Sequence, residues 1–332
     1  MNILHLSNNR SLDTIREPVE EELKKFDVVF RDAMRSQVAL VDVVTRYILR
    51  QKGKRVRPLL VMLSAKLCGE INESTYRAAT LIELLHTATL VHDDVVDDAD
   101  TRRGLASINA VWKNKVSVLM GDYLLSRGLL LSLQYNDHYF LNSTSNAVKR
   151  MSEGELLQIQ KSRQLNIDEE TYIKIISDKT GSLFSACTDI GAASTTQDPE
   201  KRNLLIAYGE NVGMAFQIRD DLLDYLGRKS ILGKSTGSDI KEKKLTLPLI
   251  YALQNSNRHE ATRALRYIKK GVKQKEIVWV LDFVRSNGGI EYSSRKSEEF
   301  ANLASNSLVS FPDSLTKKSL LQFVSFVIER NS

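Results

Sequence analysis

The stretch Leu90-Val91-His92-Asp93-Asp94-Val95-Val96-Asp97-Asp98 sets four carboxylates at the end of an otherwise apolar run. At about 3.6 residues per helical turn, Asp93 and Asp97 share one face and Asp94 lies beside them. Like charges this close raise one another's pKa and cost stability unless a cation compensates. Hard oxygen ligands so arranged suit Mg2+, which keeps several waters and completes its shell with substrate phosphates. A lone run of acids is more often a solvated helix end. Here Gln217-Ile218-Arg219-Asp220-Asp221-Leu222-Leu223-Asp224 repeats the D-D-x-x-D spacing, with Asp220 127 positions after Asp93, again inside apolar helical sequence. Two such faces serve one metal site only if they meet in one cavity, as when carboxylates project from facing helices into a bundle core.

Cationic groups stand where anionic substrates would need them. Thr101-Arg102-Arg103-Gly104 follows the first acidic face, and Gly53-Lys54-Arg55-Val56-Arg57-Pro58 precedes it on another element. Arginine grips phosphate oxygens with a fixed fork and lysine acts as a point charge, so the mixture suits two anionic heads. Either cluster alone would read as a solvated loop. No GxSxG, Walker loop or glycine-rich dinucleotide turn is present, so no covalent nucleophile or nucleotide site is indicated.

The elements that must carry these groups read as helices. Only 16 Gly and 5 Pro punctuate the chain, which favours long helices and an all-α class. Residues 17 to 51 predict one or two helices, with Pro18 in a first turn and a stop at Lys52-Gly53. Pro58 to Leu67 and Tyr76 to Val96 are apolar on nearly every face and predict buried core helices. Asp198-Pro199 caps a helix running to about Leu226, in which Gly209 and Gly213 allow close helix contact. A Gly- and Lys-rich loop, residues 227 to 246, precedes a short buried helix from Leu247 to Leu253, and three further helices follow, divided near Gly288-Gly289 and Pro312.

Length alone, 332 residues, suggests roughly two domains of about 150 residues. No linker or fixed-period repeat marks a boundary, and twin acidic faces in one cavity argue for a single domain over residues 1 to 332. No stretch approaches the run of about 18 apolar residues that spans a bilayer, and the opening residues lack an apolar signal core, so a cytoplasmic location is expected. Cys68 and Cys187 lack metal or redox spacing and read as reduced packing residues. The formal charge of +6 admits nucleic acid, an acidic membrane or phosphorylated substrates. Without a basic tail or an aromatic-interleaved stripe, nucleic acid is not expected.

Taken together, these motifs resemble the trans-isoprenyl diphosphate synthases, over roughly residues 50 to 255 and in the family's order. The resemblance implies the all-α isoprenoid synthase fold, helices around a deep central cavity, and a homodimer. It implies that Asp93, Asp94, Asp97, Asp220, Asp221 and Asp224 bind two or three Mg2+ ions that grip an allylic diphosphate. Arg102 resembles the arginine on that diphosphate, and Arg103 the one on isopentenyl diphosphate. Lys54, Arg57 and His86 resemble the other isopentenyl diphosphate ligands, and Lys179, Thr180, Gln217, Lys234 and Lys244 the allylic-side residues. Lys243 takes the place of Lys244 if the loop is read one place differently, and Asp98 stands where many relatives have Glu.

The implied activity is repeated condensation of a farnesyl- or geranyl-type diphosphate with isopentenyl diphosphate, giving a long all-trans polyprenyl diphosphate for quinone side chains, with release of the product to a membrane expected. Ala88 and Thr89, five and four places before Asp93, lie about 6 to 7.5 Å deeper along the helix. The family's short-chain enzymes place bulky aromatics there, so two small residues suggest an open floor. A shorter-chain synthase stays open as the alternative. His92-Asp93 also permits an HD-type phosphohydrolase, and a non-catalytic subunit of a heteromeric synthase is the non-enzymatic rival.

Overall fold

A computed structural model of the protein describes residues 12–51, 53–102, 104–227 and 237–329. A short 3-10 turn, Glu17–Val19, with Pro18 inside it, leads into α1 (Glu20–Ala33) and α2 (Ala39–Arg50). Two core helices follow, α3 (Val56–Cys68) and α4 (Glu73–Val96). Asn72 caps α4, its side chain accepting from the Ser74 and Thr75 amides while Thr75 answers to the Asn72 amide. A two-rung antiparallel hairpin, β1 (Thr101–Arg102) and β2 (Leu105–Ala106), turns the chain into α5 (Ile108–Gln134) and α6 (His138–Gln164).

Next come α7 (Glu169–Ile176), a π-helical turn (Ser177–Gly181), α8 (Ser182–Ala193) and α9 (Pro199–Tyr225). Asp198 caps α9 through the Glu200 and Lys201 amides, with Pro199 in the first turn where a missing N–H costs nothing. The chain closes with α10 (Ser238–Lys241), α11 (Leu247–Asn255), α12 (Arg258–Lys270), α13 (Gln274–Ser286), α14 (Gly289–Asn306) and α15 (Leu315–Glu329).

The all-α expectation is met. The expectation of three helices after α11 is corrected to four: the added break is Gly271, whose φ of +85° ends α12 in a conformation that other residues adopt only under strain. Expecting no membrane-length apolar stretch also needs correcting. Among the described residues α5 is long and apolar enough on average to cross a bilayer, because its polar residues are single and scattered; 33% of its most apolar window is buried.

One core gathers α1 to α6, α8, α14, α15 and the first half of α9; a second, smaller one gathers α7, α10 to α13 and the second half of α9. Helix α9 joins them, giving Leu205, Tyr208, Val212 and Ala215 to the first and Met214, Ile218, Leu222 and Tyr225 to the second. Its 27 residues thus hold the second acidic face at the seam. Cys187 is buried and Cys68 half-buried, and both thiols are free.

Candidate active site

The first acidic face closes α4. Asp93 stands exposed while Asp94, one residue on, is turned inward and only 2% exposed. Asp94 accepts a 2.6 Å bond from Nε of Arg102, which β1 carries back against the helix it has just left. Burial raises the Asp94 pKa against the opposing pull of Arg102. The Asp93 carboxyl is also raised, first by loss of water and then by Asp97, with Lys179 and Arg102 acting the other way. Among the described residues the side chains of Asp93 and Asp97 have no hydrogen-bond or ion-pair partner.

The second face, on α9, is half occupied by protein donors. Asp221 is buried, accepts from Tyr172 Oη at 2.7 Å and Gln217 Nε2 at 2.8 Å, and is pushed up to about 7 by burial. Asp224 accepts at 3.1 Å from the Ser238 amide and hydroxyl and from the Asp239 amide, so it caps α10. Asp220 is half-buried beside them. Among the described residues no three acid, His or Cys side chains converge closely enough to hold an ion alone.

Lys179 is near enough to both faces for its charge to oppose the rise in pKa that burial imposes on Asp93 and on Asp221. The π-helical turn presents it, and its Nζ donates to Gln158 Oε1 at 3.0 Å and pairs with Glu155, both on α6. Thr180 on the same turn donates to Gln217 Oε1 at 2.7 Å, and Gln217 passes a bond on to Asp221, so turn and second face are linked side chain to side chain. The turn is held by residues the sequence did not flag. Arg150 on α6 donates to Asp178 at 2.9 Å and Glu210 at 2.8 Å, and Lys174 donates to Asp178 at 2.9 Å. Room for it comes from Gly154 and Gly213: a Cβ on Gly154 would lie 3.0 Å from Asp178 Cβ, and one on Gly213 2.8 Å from Gly181 Cα. A helix turn widened by one residue is a frequent functional device, and Asp178 beside Lys179 in D-K-T-G was the signal available.

The basic cluster before α3 divides by role. Arg55 adopts φ +48°, turns inward over Phe26 and Phe30, and pairs with buried Glu83 at 3.1 Å, which makes it an anchor. Arg57 donates Nη1 to His86 Nε2 at 2.8 Å, which requires the neutral ring with its proton on Nδ1. The Lys54 ammonium lies 5.6 Å from the Phe326 ring centroid. A cavity between α1, α2, α4 and the hairpin is lined by Arg55, Glu83, His86, Thr87, Asp94 and Arg102. It brings the element before the first acidic face and the element after it together. Lys244 is half-buried on the site side, held by Glu242 at 2.6 Å and close enough to feel Glu155, whereas Lys243 reaches away to the Lys269 carbonyl at 3.2 Å. Arg103 and Lys234 lie outside the described residues.

Ala88 is buried in the first core. Thr89 Oγ1 donates to the His86 carbonyl at 2.9 Å. Deeper along α4, Leu81, Leu84 and Leu85 pack against Gly128 of α5.

The family model for polyprenyl synthetase matches residues 38–283. The chain is 36% identical over 314 residues to an all-trans-nonaprenyl-diphosphate synthase (geranyl-diphosphate specific) of Rhodobacter capsulatus, covering 94% of this chain and 96% of that one. It is 33% identical to the octaprenyl diphosphate synthase of Escherichia coli K12 over 97% of this chain and 99% of the other. A Caulobacter crescentus polyprenyl synthase, solved with calcium and isoprenyl diphosphate, superposes with a TM-score of 0.90 at 33% identity, covering 97% and 98% of the two chains. Paired acidic faces at one seam, the cations around them and likeness along nearly the whole length agree: the chain belongs to the polyprenyl synthetase family.

Proposed function

We propose that the protein is a Mg2+-dependent prenyltransferase that adds isopentenyl diphosphate repeatedly to a farnesyl- or geranyl-type allylic diphosphate, as one catalytic unit, to give a long all-trans polyprenyl diphosphate. The observation that carries this reading is Lys179, whose turn is bonded through Thr180 and Gln217 to Asp221 and whose charge is felt at Asp93 as well. In this reading Asp93, Asp97 and Asp220 hold the ions with the substrate's oxygens. Asp94, Asp221 and Asp224 orient Arg102, Gln217 and α10 around them. Bound Mg2+ supplies neutralisation of charge on the departing diphosphate. Arg102, Lys179, Lys234 and Lys244 hold that diphosphate as the allylic C–O bond breaks and its electron pair leaves with oxygen. Lys54, Arg57, His86 and Arg103 hold the isopentenyl head so that its double bond supplies the pair for the new C–C bond, and a proton then passes to the released diphosphate. The apolar walls exclude water, which would trap the cation as an alcohol.

A long product is supported by the two named relatives, nonaprenyl and octaprenyl synthases, and by small residues at 88 and 89. A homodimer is supported by α5, whose Val118, Leu119, Leu130 and Leu133 are exposed. The test is incubation with Mg2+, farnesyl diphosphate and labelled isopentenyl diphosphate, followed by separation of dephosphorylated products by length. Hydrolysis without condensation would overturn the activity, and a product no longer than geranylgeranyl would overturn the long chain. Ala88→Tyr is expected to stop growth at the farnesyl to geranylgeranyl stage while the first condensation survives. An unchanged long product in an active variant would remove Ala88 from the floor.

A further inference from the structure

Between Arg258 and Lys275 the chain carries seven lysines and arginines, Arg258, Arg263, Arg266, Lys269, Lys270, Lys273 and Lys275, against one acid, Glu260. That surplus equals the +6 of the whole chain, so elsewhere basic and acidic residues balance at 40 each. Cations that look dispersed along the sequence are therefore concentrated on α12 and the start of α13. All seven are exposed, and among the described residues none has a carboxylate at ion-pair distance, whereas Lys24, Arg46, Arg77 and Lys149 elsewhere do. Ala264 and Ile268 seat α12 on the second core beside Ile277 and Val280, which forces the charged side outward. Arg258, His259, Thr262, Arg263, Arg266 and Tyr267 line a shallow recess on that side.

We propose that α12 and the segment after it as far as Lys275 form a docking surface for a bilayer of anionic phospholipid, against which the enzyme unloads its product. The proposal rests on the long-chain reading, since a product with a long hydrocarbon tail needs an apolar phase once it leaves the cavity. A row of unpaired cations along one helix attracts an acidic lipid surface additively. The surface borders the site: Lys243, next to Lys244, donates to the Lys269 carbonyl, and Gly237, which precedes the amides that Asp224 caps, lies against Ile277. Nucleic acid fits less well. The aromatic rings here, Tyr267 and Trp279, lie under the Arg263 guanidinium at 5.4 and 4.5 Å, so neither offers an open platform for a base.

The test is flotation of the full chain with vesicles of phosphatidylcholine alone and of phosphatidylcholine mixed with phosphatidylglycerol. Binding is expected only to the acidic vesicles and is expected to fall as salt is raised. Arg266→Glu/Lys269→Glu/Lys270→Glu is expected to weaken it by at least about tenfold. Lys25→Glu/Lys115→Glu/Lys149→Glu, with the same change of net charge on other faces, should retain it. The first condensation, measured without vesicles, should be unchanged in both. Equal binding to neutral vesicles, no binding, equal loss in both variants, or displacement by duplex DNA would each overturn the proposal. A wild type that binds acidic vesicles but makes only short products would keep the surface and sink the product reading.

Discussion

Asp93 and Asp94 are neighbours in the chain with the same side chain and opposite situations. The Asp93 side chain faces solvent and other charges with no hydrogen bond or ion pair among the described residues, whereas Asp94 is buried against Arg102. Replacing Asp93 with Ala is therefore expected to lower turnover at saturating Mg2+ by at least about a hundredfold with no fall in melting temperature. Asp94→Ala is expected to cost about 2 kcal/mol of stability as well as activity, since it leaves Arg102 without its anchor. Thermal melts beside initial rates separate the two, and near-normal turnover in Asp93→Ala would remove it from the site. The basic residues make a second contrast. Arg57→Ala is expected to raise KM about tenfold or more for isopentenyl diphosphate, and Arg102→Ala to do so for the allylic substrate. Steady-state kinetics with each substrate varied would show equal effects if the clusters are not separate sites. Residue types and spacing made both acidic faces and both cation clusters legible. Which carboxylates turn inward was not, because Asp221 is held by a tyrosine 49 positions away.

At the scale of elements, the π-helical turn is what aims Lys179, and its clamp is Arg150 on Asp178 and Glu210. Arg150→Ala is expected to lower kcat while leaving KM for isopentenyl diphosphate within about twofold, because the side chain acts through Lys179 and not on that substrate. The clamp also titrates. Burial of Asp178 would raise its pKa, but the bonds from Lys174 and Arg150 prevail and hold it below the ordinary value. The stability it contributes is complete above the ordinary carboxylate pKa of about 4 and is lost as pH falls through the lower native value. Melting temperatures of wild type and Asp178→Asn should differ at neutral pH and converge in acid; a constant gap would show that the clamp is not ionic. Helices were legible where caps and apolar faces are local, as at Asp198-Pro199. The turn was not, since its space is made by Gly154 and Gly213 from other helices.

At the scale of the molecule, α5 leaves Leu119 and Leu130 more than half exposed, at 59% and 58%. A dimer is expected in sedimentation, and Leu119→Lys/Leu130→Lys is expected to give monomer; a wild-type monomer would reassign the stripe. That this face stays open could not be read from the sequence, where the same residues look like core. The thiols carry a practical consequence. Burial pushes Cys187 up to about 12 and Cys68 to about 11, so the reactive thiolate is scarce at neutral pH. A single cysteine introduced on an exposed face should accordingly take a maleimide dye selectively without removal of either native one, making the protein a ready scaffold for fluorescence reporters.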